Sequence, residues 1–385
     1  MITQPILNYL TPRLDSYIAE LTTLSGIDSY SHDREDVNRV VDWLQERLTK
    51  LDFTIERHVE RKAGDNLLAI RKGSGQGRVL LVGHSDTVFP RGTAAQRPVT
   101  INGDMLLGPG TCDMKAGLLT GIYAVEALDS IGFTDYEELS FLIVSDEEID
   151  ERYSIPLIRS ASRGKDAVLT LEAARANGDI VTARKGVRSF VVEAFGKAAH
   201  SGVEPEKGRS AILALAHQII ALHDLNDYTN GVSVNVGVIE GGRARNIVAD
   251  HASMKFEARA YDYAHLNATT DAILKLFAQP LNEVTFKISY EDVHPPMPRT
   301  ATIEQLEAVT KRLANELGFE VKGASTGGAA DAAFAADEGV PVLDGLGPVG
   351  GLDHSPDEYI LVSSIVPRTA LLARLVMAIV KGETS

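Results

Sequence analysis

The sequence predicts an α/β fold: a three-layer domain on a mixed, mostly parallel sheet, interrupted by an inserted α+β sandwich of ferredoxin-like βαββαβ order. Three observations carry this. Short apolar strand-like runs alternate with helical patterns over 52–172, the pattern changes character after Glu172, and it reverts after His294-Pro295-Pro296-Met297-Pro298. A chain of 385 residues exceeds one small core, so two domains are expected, at 1–184 plus 295–385 and at 185–294.

In order along the chain, helical periodicity comes first, in Leu7, Leu10, Leu14, Ile18 and Leu21, then in Val37, Val40, Val41, Leu44 and Leu48. Asn102-Gly103-Asp104 marks a hairpin, and the run from Ala116 to Leu128, apolar on most sides, a buried helix. In the insert, strands are expected at 187–196, 232–239, 251–261 and 284–290, with helices at 208–223 and 264–278. The α/β pattern resumes with helices at 303–317, 329–338 and 363–381, the first two closed by Gly318 and Gly339.

Composition narrows the function. Apolar content of 44% and charged content of 24% are ordinary for a soluble globular chain, and a net charge of −15 argues against nucleic acid and anionic membranes. No uncharged apolar run reaches the roughly 18 residues of a membrane span. The single cysteine, Cys112, excludes an intrachain disulfide, and Met1-Ile2-Thr3-Gln4-Pro5 shows no secretory pattern. The expectation is a cytoplasmic protein.

Five strand-like runs lead into histidines or acids. They are Val79-Leu80-Leu81-Val82-Gly83 before His84, Met105-Leu106-Leu107 before Asp113, and Leu139-Ser140-Phe141-Leu142-Ile143-Val144 before Asp146-Glu147-Glu148. The others are Ala167-Val168-Leu169-Thr170-Leu171 before Glu172, and Val340-Pro341-Val342-Leu343 some ten residues ahead of His354. Open α/β sheets bind ligands just beyond the carboxyl ends of their strands, so these side chains should converge. Two histidines, one aspartate and several glutamates suit zinc, with cobalt or manganese as alternatives, and the chain reads as a metal-dependent hydrolase.

Each residue also has a plainer reading. His84-Ser85-Asp86 alone is an ordinary surface turn; at a buried strand end, His84 becomes a ligand and Asp86 the carboxylate orienting its ring. Asp113 could be a helix N-cap, or a carboxylate bridging two metals about 3.5–4 Å apart. Asp146-Glu147-Glu148 could be a solvated acidic turn. On a metal site, adjacent glutamates diverge, so one ligates while the other stays free as general base. Cys112 beside Asp113 is read as a small buried residue.

These strings resemble the co-catalytic zinc hydrolases that include carboxypeptidase G, acetylornithine deacetylase, succinyl-diaminopimelate desuccinylase and aminoacylase. The matching segments are Gly83-His84-Ser85-Asp86-Thr87-Val88, 108–117, 145–148, Ala199-His200-Ser201-Gly202, Ser325-Thr326-Gly327-Gly328-Ala329-Ala330-Asp331-Ala332-Ala333 and His354-Ser355. They span most of the chain in the family's order, and the insert looks most similar to carboxypeptidase G. The resemblance implies one zinc held by His84 and Glu172, a second by Glu148 and His354, and Asp113 bridging both. Glu147 matches the general base, Asp86 the orienting carboxylate, and Asp113–Met114 a cis peptide. Ala173 and Ala249 depart from positions where relatives often carry proline; neither is a ligand position.

The insert would then be a lid and dimerisation domain. The matching histidine of the family, here His200, reaches a partner subunit's active site and steadies the oxyanion, which implies a homodimer. Arg259, on a strand face with Lys255 and Glu257, reads as a solvated charge ladder or as a fork for the substrate carboxylate, assisted by Asn246. Gly327 and Gly328 would let backbone N–H groups approach the same carboxylate. The expected reaction is hydrolysis of an amide next to a free carboxylate, releasing a C-terminal amino acid such as glutamate. Its rivals are an N-acyl-amino-acid deacylase, a catalytically silent binding protein, and a two-metal phosphoesterase, for which no phosphate clamp is visible.

Overall fold

A computed structural model describes residues 3–328 and 330–383. The chain forms two compact units. The first runs to Ala183 and resumes over Arg299–Thr326 and from Ala330; the second comprises Arg184–Pro298 with Gly327 and Gly328.

The first unit is built on a six-stranded sheet in the order Thr54–His58, Asn66–Lys72, Glu138–Val144, Arg78–His84, Ala167–Thr170, Val342–Leu343. The last four run parallel; the first two are antiparallel, which makes the sheet mixed. Arg78–His84 and Glu138–Val144 are buried almost throughout, so helices cover both faces, as near-continuous apolar parallel strands require. Helix Ala116–Ser130 is buried nearly all round, and its glycines permit close approach: a Cβ on Gly117 would sit 1.8 Å from the Leu171 carbonyl oxygen.

Helix Arg34–Thr49 buries Val37, Val40, Val41, Leu44 and Leu48, the periodic set of the sequence, and Asp33 caps it by accepting from the Asp36 N–H. The preceding stripe behaves differently. Pro12 sits in a 3₁₀ turn, Thr11–Arg13, that separates helices Thr3–Leu10 and Leu14–Ser25. That break resets the face, so Ile6, Tyr17 and Leu24 are buried alongside Leu10 and Leu21, while Leu7, Leu14 and Ile18 lie only partly inside. The final helix, Val362–Val380, is long and apolar enough to cross a membrane by length and composition. Most of it is buried, packed against Ala116–Ser130 and Thr3–Leu10 as a core helix.

One strand lies elsewhere than the sequence suggests. Met105–Leu107 forms the hairpin at Gly103 but belongs to a small separate sheet, ordered Gly350–Gly351, Tyr359–Leu361, Met105–Leu107, Thr100–Asn102. It pairs the segment leading to Asp113 with the segment flanking His354, a non-local pairing that no local pattern announces. A two-stranded sheet of Ile180–Arg184 and Gly323–Thr326 is likewise absent from the sequence reading.

The second unit is a four-stranded antiparallel sheet in the order Ser233–Gly241, His251–Ala260, Gly186–Phe195, Thr285–His294. With helices Ala211–His223 and Tyr263–Phe277, this is the βαββαβ arrangement expected. Each helix starts one to three residues from the periodic estimate, where Ser210 and Asp262 cap it through the N–H groups of Leu213 and His265. The core is aromatic and aliphatic, with Phe190 and Phe256 stacked at 4.8 Å.

Candidate metal centre

Parallel strands deliver the acids to one edge. His84 ends its strand fully buried; Glu147 and Glu148 follow the adjacent strand in a 3₁₀ turn; Glu172 follows the next. Asp113 comes from an irregular turn between Gly110, at φ +69°, and helix Ala116–Ser130, and the Asp113–Met114 peptide is cis. His354 sits at φ +61° in the loop between the two short strands of the small sheet.

Asp113 is the centre of this group. Its Oδ1 stands 2.8 Å from His84 Nε2 and its Oδ2 stands 3.1 Å from His354 Nε2. Glu172 Oε1 lies 3.6 Å from His84 Nε2, and Glu148 Oε2 lies 3.1 Å from His354 Nε2. The ligating atoms of His84, Asp113 and Glu172 fall within 4.8 Å of one another, as do those of Asp113, Glu148 and His354, and those of His84, Glu147 and Glu148. One carboxylate is thus shared between two sets of N and O donors.

The ring of His84 is held from behind. Its Nδ1 lies 3.0 Å from the backbone carbonyl of Asp86 and 3.4 Å from that residue's Oδ1. The nearer acceptor is the carbonyl, so the orienting role expected of the Asp86 carboxylate is shared with its own main chain. With Nδ1 donating there, Nε2 presents its lone pair to the cluster. Asp86 Oδ2 also accepts from the Glu148 N–H at 3.3 Å, which ties two strand ends together.

The acids outnumber the cations. Burial opposes charging of His84, but Asp113 and Asp86 hold its pKa well above the ordinary imidazole range. Contacts with Asp113 and Glu148 push His354 up to about 11. Burial works against the Asp113 charge, yet the two imidazoles keep its pKa below the usual range. Burial drives Glu147 well upward; His84 offsets part of this, and Glu151, Glu172 and Asp331 add to it. Glu148 Oε1 is buried without a hydrogen-bond partner. A divalent cation fits this donor set: it satisfies that orphan oxygen and balances the excess negative charge that two imidazoles leave.

A residue the sequence reading passed over supports the centre. Glu358, fully buried, accepts hydrogen bonds from the N–H groups of Gly110 (3.0 Å), Cys112 (2.8 Å) and Asp113 (2.9 Å). It fastens the turn bearing the shared carboxylate. Burial raises its pKa to about 7 against the pull of those three donors. Cys112 is a small buried thiol, as expected.

The remaining candidates lie in the second unit. His200 is exposed, with its Nδ1 accepting from the Gly202 N–H at 3.1 Å, and the Asn246 carbonyl accepts from the Ser201 N–H at 3.0 Å. Arg259 donates twice to Glu257, at 2.7 and 3.0 Å, and once to the Gly327 carbonyl at 2.8 Å. Gly327 and Gly328 pack with this unit.

Comparison with known proteins places this geometry in context. A model of peptidase family M20/M25/M40 matches residues 80–378. Carboxypeptidase G2 from Pseudomonas sp. (strain RS-16) is 29% identical over 97% of this chain and 91% of its own. Succinyl-diaminopimelate desuccinylase from Dechloromonas aromatica is 28% identical over 87% of this chain and 92% of its own. Among solved structures, aminopeptidase PepT from Bacillus cereus matches with a TM-score of 0.79 at 22% identity, covering 95% of this chain and 98% of that one.

Proposed function

Because the chain belongs to peptidase family M20/M25/M40, whose members include metallopeptidases and amidohydrolases, we propose that it is a di-zinc hydrolase. Its substrate is an amide next to a free carboxylate, cleaved to release a C-terminal amino acid such as glutamate. The observation that carries this reading is the Asp113 carboxylate, each oxygen facing a different imidazole. His84 and Glu172 would hold one zinc, Glu148 and His354 the other, and Asp113 both, with cobalt or manganese able to substitute. When bound, the metals supply Lewis acidity, polarising the scissile carbonyl and raising the acidity of water.

The protein's own groups do the rest. Glu147 is the proposed base. Its burial among acids raises its proton affinity, so it can take a proton from the attacking water and pass it to the leaving nitrogen. His200 donates to the tetrahedral oxyanion, a contribution of about 3–4 kcal/mol for such a group. Arg259, Asn246 and the N–H groups near Gly327 and Gly328 take the substrate carboxylate, which must compete with Glu257 for the guanidinium.

A homodimer through the second unit supports His200 acting on a partner's site. Helix Ala211–His223 exposes Ile212, Leu213 and Ile220, and Gly241 of edge strand Ser233–Gly241 packs beside Ile212. Ile239 on that strand, paired with core-side Met254, is exposed too, which makes an apolar face with an open backbone edge. A cytoplasmic setting agrees with the single buried thiol. A second reading, an N-acyl-amino-acid deacylase, draws support from the desuccinylase relative. A panel of N-acyl amino acids against peptides ending in glutamate separates the two.

The deciding experiment is Glu147→Ala. Metal content by mass spectrometry should match the parent while turnover falls at least about 10³-fold. Substantial residual activity, or loss of metal, contradicts the assignment.

A further inference from the structure

Beside the cluster, within the first unit, lies a cavity of about 290 Å³ whose lining includes Asp113, Glu172, Arg175 and Asp353. Its charged walls are acidic except for Arg175. That cation is unclaimed: its Nε is buried without an acceptor, and among the described residues no ion pair or side-chain hydrogen bond holds its guanidinium. Other partly or fully buried arginines here are engaged, Arg97 through the Phe89 ring at 4.6 Å although its Nη2 also lacks an acceptor. Arg47 pairs with Glu126 at 2.7 Å, Arg188 with Asp292 at 2.6 Å, and Arg368 donates to the carbonyls of Gly347, Gly178 and Gly345.

The backbone beneath Arg175 is fixed. Ala174 N–H donates to Pro348 O at 3.0 Å, Arg175 N–H to Asp179 O at 3.0 Å, and Gly178 N–H to Arg175 O at 2.6 Å. Only the side chain is left free, on a tight turn three residues beyond Glu172. Three residues span at most about 10 Å, so the guanidinium can reach an anion a few carbons from a carbonyl poised at Glu172 and Asp113. A desolvated donor facing a cavity is unfavourable until an acceptor arrives, and a guanidinium fork matches a carboxylate in two parallel bonds.

We propose that Arg175 is an anion subsite for a second acidic group, carried on the carbonyl side of the scissile amide. It therefore selects amides of short dicarboxylic acids over those of neutral acyl groups. This rests on the functional reading above, in which Arg259 takes the carboxylate of the leaving amino acid. Arg175 is then available for the other side of the bond.

The test holds the leaving group constant. N-succinyl-glutamate and N-acetyl-glutamate are hydrolysed by the parent, Arg175→Gln and Arg175→Lys, and calorimetry measures succinate and acetate binding to the metal-loaded proteins. Arg175→Gln should raise KM for the succinyl substrate about 30-fold and weaken succinate similarly, changing the acetyl substrate and acetate less than about 3-fold, with kcat and metal content unchanged. Arg175→Lys should restore part of the loss, as a point charge without the fork. Equal losses on both substrates would mean that Arg175 merely balances Asp353, and no loss on the succinyl arm would mean that it meets no anion; either result overturns the subsite. A parent that cleaves neither substrate, nor any peptide ending in glutamate, refutes the hydrolase reading instead. The calorimetric arms still decide on Arg175.

Discussion

The two edges of the central sheet use the same residue types to opposite ends. At the amino edge of Arg78–His84 and Glu138–Val144, the acids are met by basic side chains or a backbone donor. Glu138 meets Lys72 at 2.6 Å and also Lys165, Glu137 pairs with Arg78, and Asp166 accepts from the Arg78 N–H at 2.7 Å. At the carboxyl edge, Asp113, Glu147, Glu148 and Glu172 converge with two imidazoles. Charge that serves the fold is neutralised in place. Charge that serves a ligand is left in excess, and burial makes that excess costly until a cation binds.

The largest break in that comparison is expected at Asp113. Asp113→Ala removes the one carboxylate shared by both donor sets, so turnover should fall by at least about 10³-fold and metal content should drop at both positions. Full retention of both metals on dialysis would show that the sharing is incidental. A smaller break comes from behind the cluster. Glu358→Gln leaves its shape but replaces one acceptor oxygen with a donor, which faces an N–H of the Asp113 turn. Metal affinity, measured by competition with a chromogenic chelator, should weaken about 10–100-fold with the fold intact by circular dichroism. Unchanged affinity would make Glu358 a purely structural acid.

How much of this was legible in the sequence depended on whether the cause was local. Strand ends carrying His84, Glu147, Glu148 and Glu172 were legible because burial on both faces writes a continuous apolar run before each. The βαββαβ unit was legible because alternation and helical period switch at capped boundaries. The small sheet uniting the Asp113 and His354 segments was not: its strands are two or three residues long and pair across more than 240 positions. Glu358 was hidden for the same reason, since its three donors lie some 245 residues away. Arg259 was legible as a candidate, but its pairing with Glu257, two residues away on the same face, emerges only from side-chain geometry.

The mildest test sharpens the comparison from the paired edge. Burial would raise the pKa of Glu138, but hydrogen bonds from Lys165, Lys72 and Ser140 hold it at about 2, below the ordinary 4.5. A carboxyl depressed in the folded state contributes stability that is full above its unfolded pKa and lost as pH falls through the folded value. That contribution should therefore be complete above about pH 4.5 and gone near pH 2. Glu138→Gln also leaves Lys165, which is only 10% exposed, beside an uncharged partner. Urea unfolding at pH 7 should show a loss of roughly 2–3 kcal/mol relative to the parent, and the two proteins should converge as pH is lowered from 4.5 toward 2. Catalytic constants at neutral pH should be unaffected, because the change sits at the sheet edge opposite the cluster. A constant stability gap down to pH 2 would mean that packing, and not the charge of Glu138, holds that edge.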